Sequence, residues 1–372
     1  MTKRLMGAAV AVAALLVLFW WLPDDSWDWR LPADIPAPQV PVENPMSRAK
    51  VELGRWLFYD PRLSGNETMS CATCHVQALA FTDGRARSVG STGAIHPRSS
   101  MSLVNVAYAS RLTWANPLLA KLEDQALTPL LGDNPVEMGL NETRLIEVLR
   151  SEAHYSELLA ESFPSDADPH SLVNAIRAIA AFIRTINSYD APYDRYLAGD
   201  ATALGDAAIR GMDLFFSERL ECFHCHGGFN FTDSTTHANS TVDRVGYHNT
   251  GLYNLGASGA YPEDNTGLFD MTGERRDMGR FKAPSLRNVA VTAPYMHDGS
   301  VDTLEDVIAN YQRGGRLIEE GPYAGDGRLS PFKSEFVTGF ELTKQERDDL
   351  LAFLHALTDE SVLTDPRFSS PF

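Results

Sequence analysis

The chain is poor in basic residues. Its 372 residues carry 32 Lys and Arg against 49 Asp and Glu, a formal net charge of −17. That balance argues against a nucleic-acid binder, which needs basic patches to meet phosphates. It permits steering of a basic partner, although solubility alone accounts for a surplus of this kind. Strand signals are scarce as well, so the fold class expected is mainly α with short sheet at most. Cysteine is scarcer still, with four in the whole chain. All four fall in two copies of one pattern, Cys71-Ala72-Thr73-Cys74-His75 and Cys222-Phe223-His224-Cys225-His226, and none is left over.

C-x-x-C-H is the attachment signature of c-type haem. Two thioethers hold the porphyrin, and the histidine that follows brings its imidazole to the iron. A zinc site would gather the cysteines into one tetrahedral cluster, but these pairs stand about 150 residues apart. Redox C-x-x-C pairs rarely carry a following histidine twice. The expectation is therefore two covalently bound haems, one in each half, with His75 and His226 as iron ligands. The length fits two domains, and the 44% apolar content is enough for two cores.

The N-terminus begins Met1-Thr2-Lys3-Arg4 and runs apolar from Leu5 to Leu22. A basic start before an apolar run is the pattern of a secretory signal. The run is close to the shortest that spans a bilayer and ends in the aromatics Phe19, Trp20 and Trp21. No small-x-small cleavage site follows, which favours an uncleaved N-terminal anchor over a cleaved signal. Either places the body in the bacterial periplasm. The segments expected are 1–22 signal or membrane anchor, 23–45 Pro-rich tether, 46–190 N-terminal haem domain and 191–360 C-terminal haem domain. The boundary is placed in the turn-rich stretch from Tyr189 to Gly205.

Periodicity marks the helices. Ser47 caps one whose face is Ala49, Leu53, Trp56 and Leu57, and Asp60-Pro61 ends it. Leu145, Val148 and Leu149 mark a second, and Ile176, Ile179, Ile183 and Ile186 a third. Ile209, Met212, Phe215 and Phe216 form the inward face of a helix before Cys222. Thr343-Lys344-Gln345-Glu346 is a capping box, followed by Leu350, Leu351, Leu354 and Leu357. Residues 82–102 read as loop over a haem face, and residues 227–280 as long ordered loops.

Three stretches carry a resemblance to a known family. They are Leu53-Gly54-Arg55-Trp56-Leu57-Phe58-Tyr59-Asp60, Pro284-Ser285-Leu286-Arg287-Asn288-Val289, and Ala293-Pro294-Tyr295-Met296-His297-Asp298-Gly299-Ser300. Over residues 45–357 the chain resembles the bacterial di-haem cytochrome c peroxidase/MauG superfamily. The resemblance implies two cytochrome-c-like haem domains with calcium between them, a peroxide-binding haem in the first and an electron-transfer haem in the second. His75 and His226 match the proximal ligands, and Trp114 matches the tryptophan between the haems. Glu137 matches the acidic residue of the peroxide pocket. Gln125 and Pro129 match its rim, although the stretch from Pro129 to Glu137 is two residues longer than usual. Thr292 and Pro294 match carbonyl ligands of calcium, and His297 a histidine near the second haem.

Three departures matter. Where the ordinary peroxidases have a methionine that ligates the second iron, about fourteen residues after His297, this chain has Tyr311. That is the MauG pattern, and the run Leu112–Leu118 is more similar to the MbnH-like di-haem enzymes of methanobactin gene clusters. The histidine that caps the first haem in resting peroxidases aligns with Ser91, with His96 near enough to substitute. The calcium-ligating Asn position falls on Ser99. An anionic tyrosine oxygen favours ferric and higher iron, whereas methionine favours ferrous iron. Met271, Met278 and Met296 are rival ligands, and a Tyr311 that merely packs on its helix is the plainer alternative.

Three functions are in play. The first is peroxide-dependent oxidation of a residue of a periplasmic partner protein, a Trp on a copper-handling protein, through high-valent haem iron. In that reading Glu137 is the acid/base, with a pKa raised by its pocket, and Trp114 joins the haems. The second is peroxide reduction fed by a small cytochrome c or cupredoxin. The third is a plain electron relay. His154, His170, His237, His248 and His355 read as surface or core residues, and His224 as a residue that lines the second motif.

Overall fold

The computed structural model describes residues 27–372. The segment read as signal or anchor lies outside the described residues. Among the described residues no helix is long and apolar enough to cross a membrane.

The first half is built on α1 (Arg48–Tyr59), and the first haem motif forms the single turn α2 (Cys71–Cys74). Four helices follow: α3 (Leu122–Leu131), α4 (Glu142–Ser151), α5 (Ala153–Ser162) and α6 (Leu172–Arg184). The α1 N-terminus is set by Ser47, whose side chain accepts from the Lys50 N–H at 3.2 Å, satisfying one of the open donors of the first turn. α6 is apolar nearly all round, with Ala175, Ile176, Ala178, Ile179, Ala180, Ala181 and Phe182 all buried. Such a helix belongs at the centre of a layer, and α1 packs on one side of it.

The second half repeats the plan. It runs α7 (Pro192–Leu197), α8 (Asp206–Phe215), the haem motif α9 (Cys222–His226), the single turn α10 (Phe269–Thr272), α11 (Leu304–Gln312), α12 (Lys344–His355) and α13 (Glu360–Thr364). The Thr343–Glu346 capping box forms as read, with the Thr343 N–H donating to Glu346 Oε2 at 2.8 Å. Two antiparallel pairs are the only named strands among the described residues: β1 (Tyr247–His248) with β2 (Phe281–Lys282), and β3 (Leu317–Ile318) with β4 (Gly325–Asp326).

Several elements differ from the sequence reading. The buried stripe of α8 is Ala208, Gly211 and Phe215. Phe216 is the C-cap and 38% exposed, so it does not continue that face. Helices α3, α5, α7, α10 and α13 have no counterpart in the sequence reading, and α10 falls inside the 227–280 stretch read as loop. The Pro-rich run before α1 is extended but docked along both halves. Its Pro36 carbonyl accepts from Tyr108 Oη at 2.8 Å, its Ala37 carbonyl accepts from the Ala238 N–H at 2.9 Å, and Asn44 donates to Glu123 at 2.6 Å. After α13 the tail returns to the first half, where Val362, Leu363 and Phe368 pack with Phe58 and Phe81.

The halves meet at Ser188. Asn105 Oδ1 accepts from its N–H at 2.8 Å, Asn105 Nδ2 donates to its carbonyl at 3.1 Å, and Asn288 Nδ2 donates to its hydroxyl at 2.9 Å. Both asparagines adopt left-handed backbone, φ 56° and 59°, and both follow the same local sequence, Ser102-Leu103-Val104-Asn105-Val106 and Ser285-Leu286-Arg287-Asn288-Val289.

Each half also has one helix crossing closed by glycine. A Cβ on Gly54 of α1 would lie 1.9 Å from the Ala178 carbonyl oxygen of α6, and one on Gly211 of α8 1.9 Å from that of Asp349 in α12. Backbone cannot yield as a side-chain tip can. Gly54→Ala and Gly211→Ala should each destabilise the holoprotein by at least about 1–3 kcal/mol, the usual cost of overpacking, measured by denaturant midpoint.

Candidate haem sites

Two imidazoles are held alike. His75 Nδ1 lies 2.8 Å from the Phe81 carbonyl oxygen and His226 Nδ1 lies 3.1 Å from that of Phe231. A carbonyl only accepts, so each ring carries its proton on Nδ1 and leaves the Nε2 lone pair for a metal. Burial lowers both histidine pKa values, which keeps the ligating form neutral. Cys71, Cys74, Cys222 and Cys225 form no disulfide. The carbonyls that orient the rings belong to a repeat that sequence reasoning passed over: Phe81-Thr82-Asp83 after the first motif and Phe231-Thr232-Asp233 after the second.

Beside His75 lies a cavity of about 500 Å³, a volume typical of ligand sites. Cys71, Cys74, Trp114, Gln125, Pro129 and Glu137 line it from the first half, with Lys282, Thr292 and Pro294 from the second. Glu137 sits in a segment pinned on two sides. The Glu137 carbonyl accepts from the Ser91 N–H at 2.7 Å, and the Met138 N–H donates to the Pro129 carbonyl at 2.9 Å. The Ser91 hydroxyl donates to the Met138 carbonyl at 2.9 Å. Ser91 thus ties down the Glu137 segment, and the histidine that faces Glu137 is His96, with Nε2 3.8 Å from Oε1. Burial raises the Glu137 pKa, and His96 partly offsets the rise. Gln125 Oε1 is buried with no hydrogen-bond partner among the described residues.

Trp114 is fixed by its neighbours. Its Nε1 donates to the Ser99 carbonyl at 2.8 Å, and its own carbonyl accepts from the Lys282 N–H at 2.8 Å. Lys282 is 5% exposed and makes no ion pair among the described residues. Burial brings its pKa down to about 8, partly offset by Asp233. An uncommitted buried ammonium, two free thiols, a metal-ready imidazole and an unpartnered amide around one cavity fit haem, whose propionates need a counter-charge. Lys282 was not singled out from the sequence, because a lone lysine in a two-residue strand gives no signal.

At the second site Tyr311 lies in the last turn of α11 and lines a small cavity with Thr250, Leu252, Met296, Asn310 and Arg316. Burial raises its pKa, and the Cys225 and Cys222 thiols add to the rise, which puts the phenol close to the second attachment pair. Of the rival methionines, Met271 is 45% exposed on α10, Met278 packs with Tyr253 and Tyr261, and Met296 shares the Tyr311 cavity. His297 stacks on Phe281 at 3.6 Å, is pushed down to about 4 by burial, and leaves Nε2 unpartnered. His248 is more than a core residue. Its Nε2 meets Asp233 at 2.6 Å, and its pKa is raised to about 10 against the cost of its burial, chiefly by Asp233 and by the neighbouring Cys225. His224 stacks on Phe336 at 4.4 Å and pairs with Glu221 at 2.7 Å.

Comparisons with known proteins find relatives over most of the chain. The model of the di-haem cytochrome c peroxidase family matches residues 48–202, and that of RoxA-like, cytochrome c-like proteins matches residues 280–316. The methylamine utilization protein MauG of Methylorubrum extorquens is 33% identical over 335 residues, 89% of this chain and 84% of that protein. Cytochrome-c peroxidase IdrP1 of Pseudomonas sp. strain SCT is 35% identical over 349 residues, 90% of this chain and 87% of that protein. Among solved structures, a MauG-like protein associated with microbial copper homeostasis superposes with a TM-score of 0.91 at 52% identity, covering 93% of this chain and 99% of that one. With its two haem-attachment motifs, its pair of carbonyl-bound imidazoles and these relatives over most of its length, the chain belongs to the di-haem cytochrome c peroxidase/MauG family of haem oxidoreductases.

Proposed function

We propose that this protein is a periplasmic enzyme that uses hydrogen peroxide to oxidise a residue of a partner protein, a tryptophan on a copper-handling protein. The observation that carries the reading is Tyr311, a buried phenol beside the second attachment pair where the ordinary peroxidases place methionine. The copper-linked relative supports the class of partner. Bound at His75 and His226, haem supplies redox chemistry with peroxide and one-electron transfer.

The protein's own groups do the rest. Cys71 and Cys74, then Cys222 and Cys225, hold the two porphyrins, and Lys282 offers the first a counter-charge. Glu137 moves a proton from one peroxide oxygen to the other, a task suited to a carboxyl whose pKa is raised towards neutrality. His96 stands beside it as a second polar group, and the Gln125 amide orients the peroxide. Trp114, locked at both its indole and its carbonyl, joins the two sites, and His297 packs at the second. Calcium would draw on Ser99, Thr292 and Pro294, which line the same cavity. The second reading is a peroxidase that takes electrons from a small cytochrome c or cupredoxin.

Adding peroxide to the fully oxidised protein and following both haems by optical and EPR spectroscopy separates the readings. Loss of both ferric signals without prior reduction is expected. Inertness until one haem is reduced would favour the peroxidase. Tyr311→Met should raise the potential of the second haem and impose that need for reduction, whereas Met296→Leu should leave the potential unchanged. The opposite pattern would make Met296 the ligand.

Glu137→Gln should slow the peroxide reaction by roughly 10²–10⁴-fold, the usual share of a positioned acid/base. The same change should flatten the pH dependence of stability. Burial raises the Glu137 pKa, so over the window between the ordinary and the raised value the folded protein holds a proton that the unfolded chain has lost. The contribution of Glu137 therefore falls as pH rises through that window, and Gln removes the fall. Denaturation midpoints at acid and neutral pH check it.

A further inference from the structure

Three tyrosines make successive ring contacts from beside the second site to the surface. Tyr261 and Tyr253 are each 4% exposed, and their rings meet edge-on at 5.4 Å. The Tyr253 and Tyr323 rings meet at 5.7 Å, and Tyr323 is 40% exposed in the turn between β3 and β4. At the inner end, Tyr261 Oη accepts from the Leu252 N–H at 3.2 Å, and Leu252 lines the cavity that Tyr311 lines. Tyr261 also adds to the rise in the Tyr311 pKa, so the two phenols lie within electrostatic reach.

We propose that Tyr261, Tyr253 and Tyr323 carry an oxidising equivalent from the second haem site to a partner protein docked on the β3–β4 hairpin. The proposal rests on the peroxide-driven reading above for its oxidant. Phenylalanine would fill the two buried positions without bringing hydroxyls that must be satisfied. The hydroxyls present are unequal. Tyr261 donates to the Asn249 amide oxygen at 2.9 Å, a neutral group that takes no proton. Tyr253 donates to Asp298 Oδ2 at 2.6 Å, a carboxylate that can. Tyr261 is therefore a bridge and Tyr253 the stopping point. The Arg316 guanidinium, 6.0 Å from the Tyr253 ring, opposes a cationic ring and favours the neutral radical left when the proton moves.

The steps balance. One electron leaves Tyr253 for the second site through Tyr261, and its phenol proton passes to Asp298. An electron from Tyr323 refills Tyr253 and the proton returns, while Tyr323 releases its own proton to water. An aromatic side chain of the partner gives an electron to Tyr323, which regains a proton. Two passes supply the two electrons that, with two protons, convert one hydrogen peroxide to two waters.

The exit has the character of a docking spot. Leu317 on β3 and Leu329 just beyond β4 are 41% and 73% exposed, so the hairpin that carries Tyr323 also presents apolar surface, and an exposed aromatic is the usual anchor of an interface. Glu319 and Glu320, exposed in the same turn, add to the negative surplus of the chain and call for a basic contact face on the partner.

The test uses the full di-haem protein, peroxide and a nitroso spin trap that adds covalently to tyrosyl radicals, with adducts mapped by mass spectrometry. An adduct on Tyr323 is expected, falling in Tyr253→Phe by roughly 10²-fold, because the variant removes the phenol whose proton transfer to Asp298 the relay needs. Tyr323→Phe, a surface change that spares folding, should slow the return of the peroxide-oxidised haems to their resting spectra. An undiminished Tyr323 adduct in Tyr253→Phe overturns the relay. So does an unchanged return rate in Tyr323→Phe, or the absence of a Tyr323 adduct while both haems respond to peroxide. If neither haem responds to peroxide, the peroxide reading itself fails and the relay falls with it.

Discussion

The histidines of both haem-attachment motifs depend on one contact, the hydrogen bond from an imidazole Nδ1–H to a phenylalanine carbonyl. It fixes the tautomer, aims Nε2 and keeps the ring from turning. It also has a local cost. Phe81 and Phe231 must adopt left-handed backbone, φ 59° and 50°, to present their carbonyls. For residues other than glycine that costs about 1–3 kcal/mol each. Both rings are 0% exposed, and burying a phenylalanine side chain contributes about 1.5–3 kcal/mol. The anchor for each strained turn is therefore the ring of the residue that bears the strain. Polar replacements at Phe81 or Phe231 would loosen the imidazole as well as the core.

The same device occurring twice explains the architecture. Each half has a glycine-closed helix crossing, a haem turn, a Phe-Thr-Asp turn and a Ser-Leu-x-Asn-Val segment whose asparagine reaches Ser188. What differs is the far side of each site. In the first half the Val136–Met138 segment, held by Ser91 and Pro129, brings a carboxyl with a raised pKa and a histidine to an open cavity. In the second half the end of α11 brings a phenol close to the second attachment pair. An open polar side would suit a small, proton-demanding reactant such as peroxide, and a tyrosine oxygen at the second iron would favour ferric and higher states.

Much of this was legible. The haem motifs need only spacing, and α1 and α12 announce themselves by cap residue and apolar period together. Helix α3 was missed because Pro129 reads as a breaker. In the fold it falls in the last turn, and its carbonyl is taken by the Met138 N–H rather than by the helix. Helices α7 and α13 are too short to show a period. The apolar stripe of α8 was read one position too far, to Phe216, because four large side chains outweighed the small Ala208 and Gly211 that allow the close approach to α12. The roles of Lys282 and His248 are not legible, since each follows from a long-range neighbour, whereas His96 is readable as the histidine that can stand in where Ser91 aligns. The Phe-Thr-Asp and Ser-Leu-x-Asn-Val repeats were on the page as literal repeats. They are too short to stand out unless the haem motifs are first aligned with one another.

The two sites are joined through a strand of two residues. Successive side chains of a strand point to opposite faces, and β2 uses that alternation across the boundary. Phe281 turns towards the second site, stacking on His297 at 3.6 Å and approaching Tyr261 at 6.2 Å. Lys282 turns towards the first, lining the cavity beside His75, with its N–H on the Trp114 carbonyl. Any shift of β2 would move the counter-charge of one site and the aromatic packing of the other together. Pairing with β1, Tyr247 opposite Lys282 and His248 opposite Phe281, holds that register. The Asp233–His248 ion pair then fastens β1 beside the second attachment motif. The register of β2, set by two residue pairs and one ion pair, thus keeps Trp114, Lys282 and Phe281 in fixed relation to one another.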